Sequence, residues 1–237
     1  MLSNNIIFRR NRFSTAGLQL WLDAALPSTI IRDGLNKVSQ WNDKSGLARN
    51  CVQATSAAQP LFQATGIAGL PAVNFDGVDD FLPFSDQTLS WIASSSFTVI
   101  YVASKPAAAN TYVIGGTNSG TRNNLIAGYV SSNTYKFGFG NDDQNAIVTV
   151  GTVGTPEIYT LVYSNADNSR RVRRNGADVA VGASSGGLTS MTGQVIGRYS
   201  ATFGAFKLGE LLIYNRALPV NEYLSIERDL VSKWAIS

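Results

Sequence analysis

The run Phe97–Ala103 (FTVIYVA) is apolar on both of its alternating faces, and this limits what the chain can become. A strand with two oily faces has to lie inside a sheet that is covered on both sides. Short apolar or β-branched runs recur along the sequence between clusters of Gly, Asn, Asp and Ser, which is an all-β pattern. Thr134–Phe139 is the complementary case: Tyr135, Phe137 and Phe139 fall on one face, Lys136 and Gly138 on the other. Such a strand has one side in a core and one side outside it.

Strands are expected near 17–23, 36–42, 71–76, 97–104, 111–116, 134–139, 146–150, 157–164, 193–198 and 205–214. Asp76-Gly77 and Asn175-Gly176 read as hairpin turns, because both central residues of a type I′ turn need positive φ. From Pro219 to Trp234 the apolar residues Val220, Tyr223, Ile226, Leu230, Val231 and Trp234 fall at helical spacing. Pro219 suits the first turn, with Glu222 and Lys233 placed to complement the helix dipole. Trp21, Trp41, Phe75, Phe97, Tyr101 and Trp234 are expected in the core. At 44% hydrophobic and 15% charged, 237 residues suffice for one sizeable core.

Several segments, taken in order, carry a resemblance. LQLWLD (Leu18–Asp23) is followed by VSQWNDKSG (Val38–Gly46), a Gln59-Pro60 step, GLPAVNFDGVDDFL (Gly69–Leu82) and GELLIYNRALPVNEYLSIERDLVSKW (Gly209–Trp234). This series resembles the concanavalin A-like lectin/glucanase jelly roll in its laminin-G-like branch, from about Gly17 to Trp234. The resemblance implies an all-β sandwich of two antiparallel sheets with one C-terminal α-helix. It divides the chain into a basic arm, 1–16, and a jelly-roll domain, 17–237. The fold hosts lectins, hydrolases and structural modules alike.

The chain has no histidine and one cysteine, Cys51. That removes imidazole bases, Ser-His-Asp and Cys-His catalysis, His-containing zinc sites and any intrachain disulfide. Glycoside hydrolysis needs only two carboxyl groups. Hydrolases of this fold carry E-x-D-x-x-E on a strand, and none of Glu157, Glu210, Glu222 and Glu227 has an aspartate two residues on. Asp79 and Asp80, as strand neighbours, point to opposite faces. The expectation is therefore a protein that is not an enzyme.

Sugar recognition asks for aromatic faces and planar polar groups on an accessible rim. The loops offer Asn118, Arg122, Asn123, Asn133, Tyr199 and Phe203, with Tyr199 and Phe203 either exposed together or covering the edge of the core. No resident cofactor is expected. Asn141, Asp142 and Asp143 form the densest oxygen-ligand loop for a Ca²⁺ ion, and the same residues also make an ordinary polar turn.

The net charge of +3 is concentrated in Arg9, Arg10 and Arg12 and in Arg170–Arg174, read as a solvated terminus and a solvated hairpin strand. No nucleic-acid partner is expected. No apolar run approaches 18 residues, so no membrane insertion is expected. The N-terminus lacks the apolar stretch of a secretory signal, which implies synthesis in a cytoplasm. Phe8 and Phe13 add little to bury, and the arm reads either as a docking element or as a frayed end. The combination resembles bacteriophage virion appendage and decoration proteins. It implies a virion surface protein, a homo-oligomer or part of a larger assembly, whose partners are other virion subunits and host surface glycans. The alternatives are an assembly protein without sugar binding and a hydrolase of the same fold.

Overall fold

The computed structural model describes residues 13–104, 111–117, 120–131, 134–147 and 154–237. Two antiparallel sheets face each other. The first runs Ala177–Ala183, Ser169–Arg174, Pro156–Ser164, Phe97–Ser104, Ala205–Tyr214, Leu70–Asp76, Leu61–Ile67, and Leu18–Asp23 also pairs with Ala205–Tyr214. The second runs Asp143–Ile147, Thr134–Gly138, Ile126–Tyr129, Thr111–Gly115, Val195–Ile196, Leu82–Pro83. With the helix Val220–Trp234, this is the jelly-roll sandwich that the sequence implies.

Strand Phe97–Ser104 shows why both of its faces are apolar. Phe97, Val99, Tyr101 and Ala103 enter the core between the sheets. Ile100 and Val102 face a second apolar layer, where Tyr223, Ile226, Leu230 and Trp234 of the terminal helix pack on the first sheet. Tyr135, Phe137 and Phe139 point inward from the second sheet and are fully buried, as their alternation requires. Burying a side chain of this size stabilises the fold by about 1.5–3 kcal/mol.

Several expectations need correction. Asn175-Gly176 does make a hairpin turn, at φ 46° and 82°, but Asp76-Gly77 does not. After Gly77 the chain crosses to the second sheet, where Leu82–Pro83 pairs with Val195–Ile196. The hairpin lies one strand earlier, at Ala68 (φ 47°) and Gly69 (φ 77°), where an alanine concealed the signal. The expected strand 193–198 breaks at Gly197. A Cβ there would lie 2.6 Å from the Phe75 ring, and beyond it Arg198–Tyr199 pairs with Thr202–Phe203 as a separate ribbon.

Trp21 is half-buried, not a core residue, and Lys44 covers its ring at 3.8 Å. Phe13 is only 6% exposed and packs edge-on against Trp21 at 5.3 Å, so it belongs to the folded body. Pro219 caps the helix in an extended conformation, one residue before its first turn. Lys233 lies in the last turn of the helix, as expected, and there it also pairs with Asp23 and Glu210. Arg9, Arg10 and Arg12 lie outside the described residues.

Candidate functional site: the outer face of the second sheet

The terminal helix covers the outer side of the first sheet, whereas on the second sheet the ribbon Arg198–Phe203 lies against strand Thr111–Gly115. Register places Tyr112, Gly128 and Lys136 in one row across three strands. Tyr199 of the ribbon stands over Tyr112 with ring centres 5.1 Å apart. Lys136 pairs with Asp143 at 2.6 Å, and both side chains are under one-fifth exposed. Two glycines keep this surface low. A Cβ on Gly128 would strike the Thr111 carbonyl, and one on Gly138 would enter the space taken by Asp143 and Lys136. The Asp143 Oδ2 atom holds the lysine, while its Oδ1 has no hydrogen-bond partner among the described residues. Burial raises the Tyr112 pKa, with Lys136 acting in the opposite direction, so the phenol remains a neutral donor.

The residues expected to bind sugar divide between two places. Tyr199 belongs to this face. Phe203, on the same ribbon, turns toward Phe81 at 6.3 Å. Arg122 and Asn123 lie on the loop before strand Ile126–Tyr129, beside the end of strand Thr134–Gly138. There the Arg122 N–H donates to the Phe139 carbonyl, and the Arg122 carbonyl accepts from Thr189 N–H at 2.6 Å. Asn118 and Asn133 lie outside the described residues. Sequence reading missed Lys136, Asp143 as its partner, and Arg198. Arg198 stands 4.2 Å over the Phe81 ring and 5.8 Å from Phe203. The signal for Lys136 was present, because it sits on the polar side of an alternating strand.

The Asn141–Asp143 segment is not a free oxygen cage. Asp143 already belongs to strand Asp143–Ile147, and Asp142 accepts from Arg170 at 2.7 Å, Ser184 Oγ at 2.9 Å and Ser185 N–H at 2.7 Å. Burial pushes the Asp142 pKa up, but the serine hydrogen bonds and the Arg170 charge outweigh it and hold the carboxyl below its usual range. A calcium ion would have to displace these partners.

The arginine run is only partly solvated, with Arg171 about a third exposed. Arg170 and Arg173 are buried, and all four arginines meet carboxylates: Arg170 with Asp142, Arg171 with Asp178, Arg173 with Asp178 and Glu227, Arg174 with Glu157. A cation already neutralised is poorly placed to meet a phosphate backbone.

Glu157 anchors a polar network between the sheets. It accepts from Tyr129 at 3.1 Å and Tyr159 at 3.3 Å, while Tyr101 and Tyr135 share a hydroxyl contact at 2.5 Å. The cleft lined by Glu157, Tyr101, Tyr129 and Tyr159 has a volume of about 20 Å³, room for about one water. Asp79 is exposed and Asp80 buried, but neither lies in a strand and they do not point to opposite faces as expected: their carboxylates and that of Asp76 come within 4.8 Å of one another. Burial pushes the Asp80 pKa up to about 7.

No known family model matches the chain, and no curated protein matches it. Solved structures do. A Trypanosoma rangeli sialidase in complex with the inhibitor DANA aligns at TM-score 0.63 and 15% identity, covering 92% of this chain and 34% of that one. The botulinum neurotoxin type C chain, from a study of its interaction with two ganglioside molecules, aligns at TM-score 0.60 and 10% identity, covering 90% and 51%. The binding domain of botulinum neurotoxin DC in complex with rat synaptotagmin II aligns at 0.62 and 11%, covering 90% and 52%. The chain thus spans about a third of the sialidase and about half of the toxin chains. At these identities the likeness is one of fold: a jelly-roll β-sandwich that occurs as part of larger proteins. The expectation that the chain is not an enzyme is corrected here. The fold occurs within glycoside hydrolases, and the missing E-x-D-x-x-E motif does not exclude catalysis.

Proposed function

We propose that the chain is a carbohydrate-recognition module of the concanavalin A-like, laminin-G-like kind. In this reading it takes its glycan on the outer face of the second sheet, beside Tyr199. The observation that carries this is the Tyr199–Tyr112 pair standing next to the Lys136–Asp143 ion pair on a glycine floor. A sugar ring has an apolar C–H face and a rim of hydroxyls, so an aromatic plate beside fixed donors and acceptors suits it. The similar structures support the reading: one sialidase is in complex with sialic acid, and toxin entry depends on two ganglioside molecules. The setting inferred from the sequence architecture is a virion surface, with the basic residues Arg9, Arg10 and Arg12 as the docking element for a partner subunit.

Binding to immobilised glycans tests the site. Tyr199→Ala should weaken binding about tenfold, corresponding to about 1.4 kcal/mol, with the melting temperature kept. Lys136→Ala should weaken the same ligands. Variants that bind like the parent chain would move the site elsewhere, and a chain that retains no glycan at all ends the reading. Sedimentation with particles tests the setting separately.

A further inference from the structure

Arg198 differs from the arginines of the run Arg170–Arg174. Each of those meets a carboxylate, whereas Arg198 has none within ion-pair distance among the described residues. Asp76, Asp79 and Asp80 lie on the neighbouring segment and do not reach it. Its Nε–H is buried without a hydrogen-bond partner. What surrounds the guanidinium is aromatic: Phe81 at 4.2 Å and Phe203 at 5.8 Å. Burial alone lowers its pKa, with no anion to oppose the shift.

This arrangement holds an arginine in place without using its donors. Rings stabilise a guanidinium through its flat face, while its N–H groups lie in the plane and point past the rings. A carboxylate is an acceptor that matches two in-plane donors. The ribbon is also seated firmly. Its Arg198 carbonyl and Tyr199 Cβ lie so close to Gly115 that a Cβ there would come within 2.6 Å and 2.8 Å of them. Arg198 and Tyr199 are consecutive strand residues, so their side chains emerge on opposite sides of the ribbon. An oligosaccharide crossing the ribbon meets the tyrosine ring on one side and the arginine on the other.

We infer that Arg198, framed by Phe81 and Phe203, is the carboxylate-binding subsite of the glycan face and makes it selective for acidic sugars over neutral ones. This rests on the glycan reading above and adds the ligand class. An uncharged sugar leaves the arginine unmet, whereas a uronic or other sugar acid supplies both acceptors.

The test observes the Arg198 Nε–H resonance of the full chain, assigned by its loss in Arg198→Lys. The chain is titrated with glucuronate, with glucose and with acetate. Glucuronate should move the resonance, and glucose should leave it in place. Acetate should act only at concentrations at least about tenfold higher, a difference of about 1.4 kcal/mol. Arg198→Lys and Phe203→Leu should each weaken glucuronate binding followed on the Tyr199 ring signals. Equal responses to glucuronate and glucose, or none to glucuronate, overturn the inference. Acetate acting as strongly as glucuronate also overturns it, since the site would then serve any carboxylate. If neutral oligosaccharides shift the Tyr199 signals while Arg198 ignores glucuronate, the subsite fails and the glycan face stands. If neither responds, both fall.

Discussion

The indole N–H of Trp234 donates to Oε2 of Glu210 at 2.9 Å, and both residues are completely buried. The same carboxylate accepts the Trp21 indole at 2.8 Å through Oε1 and holds Lys233 at 2.6 Å. Burial raises the Glu210 pKa, as does the nearby Asp23, while Lys233 and Trp234 oppose the shift. One carboxylate therefore joins the first strand, the long strand Ala205–Tyr214 and the terminal helix. Gly209 completes the joint, since a Cβ there would lie 2.8 Å from the Trp234 ring. Glu210 is a structural residue.

Trp234→Ala removes a large buried ring and leaves Glu210 short of a donor. The expected cost is about 3–5 kcal/mol in chemical denaturation, as for other large-to-small core changes. A loss below about 1 kcal/mol would show that the helix does not depend on this joint.

The frame of the molecule was readable because apolar periodicity reports directly which faces are covered. Phe97–Ala103 announced its two layers, and Tyr135, Phe137 and Phe139 their single one. The turn at Ala68-Gly69 was not readable, because alanine is a poor marker for positive φ. The candidate site was only partly legible. Tyr199 stood out as a loop aromatic, but its neighbours Tyr112, Lys136 and Asp143 come from three strands whose register no local pattern reveals. The arginine run misled for a similar reason. Asp178 is near in sequence, but Asp142, Glu157 and Glu227, which neutralise Arg170, Arg174 and Arg173, are distant, so charge alone suggested a solvated strand.

Asp80 makes stability depend on pH. Its pKa in the folded chain is raised to about 7, from an unperturbed value of 3.8, chiefly by burial. Between those values the native state holds a proton that the unfolded chain releases, so stability falls as pH rises from about 4 to about 7. Above that range the loss is complete. Asp80→Asn keeps an acceptor for the Asp76 N–H and removes the titration. It should flatten this limb of the pH profile and raise stability at pH 8 by about 1 kcal/mol or more. An unchanged profile would mean that Asp80 titrates normally.

Chelation should not lower the melting temperature through the Asn141–Asp143 segment, because Arg170 and two serines already occupy Asp142. A Ca²⁺-dependent shift that both Asp142→Ala and Asp143→Ala abolish would contradict this. Asp142→Ala should instead destabilise the chain without any ion. Arg170 is 2% exposed, and removing its carboxylate leaves a buried charge uncompensated, at a cost of about 3–5 kcal/mol.

Phe13 belongs to the folded body. Its ring is 6% exposed, packed with Trp21 and the helix layer. Arg216 ties the neighbouring backbone down, donating to the Ala16 carbonyl at 2.7 Å while pairing with Glu222. A boundary at residue 17 would place this ring in a dispensable arm, so truncation there should cost stability. Phe13→Ala isolates the contribution of the ring, with an expected loss of about 3 kcal/mol, as for a buried phenylalanine replaced by alanine. Arg216→Ala should loosen the same segment, seen as faster amide exchange at Leu18, whose N–H donates to the Thr15 carbonyl at 3.1 Å. If Phe13→Ala leaves the denaturation midpoint unchanged, the ring adds nothing to the second apolar layer and the body starts at the first strand.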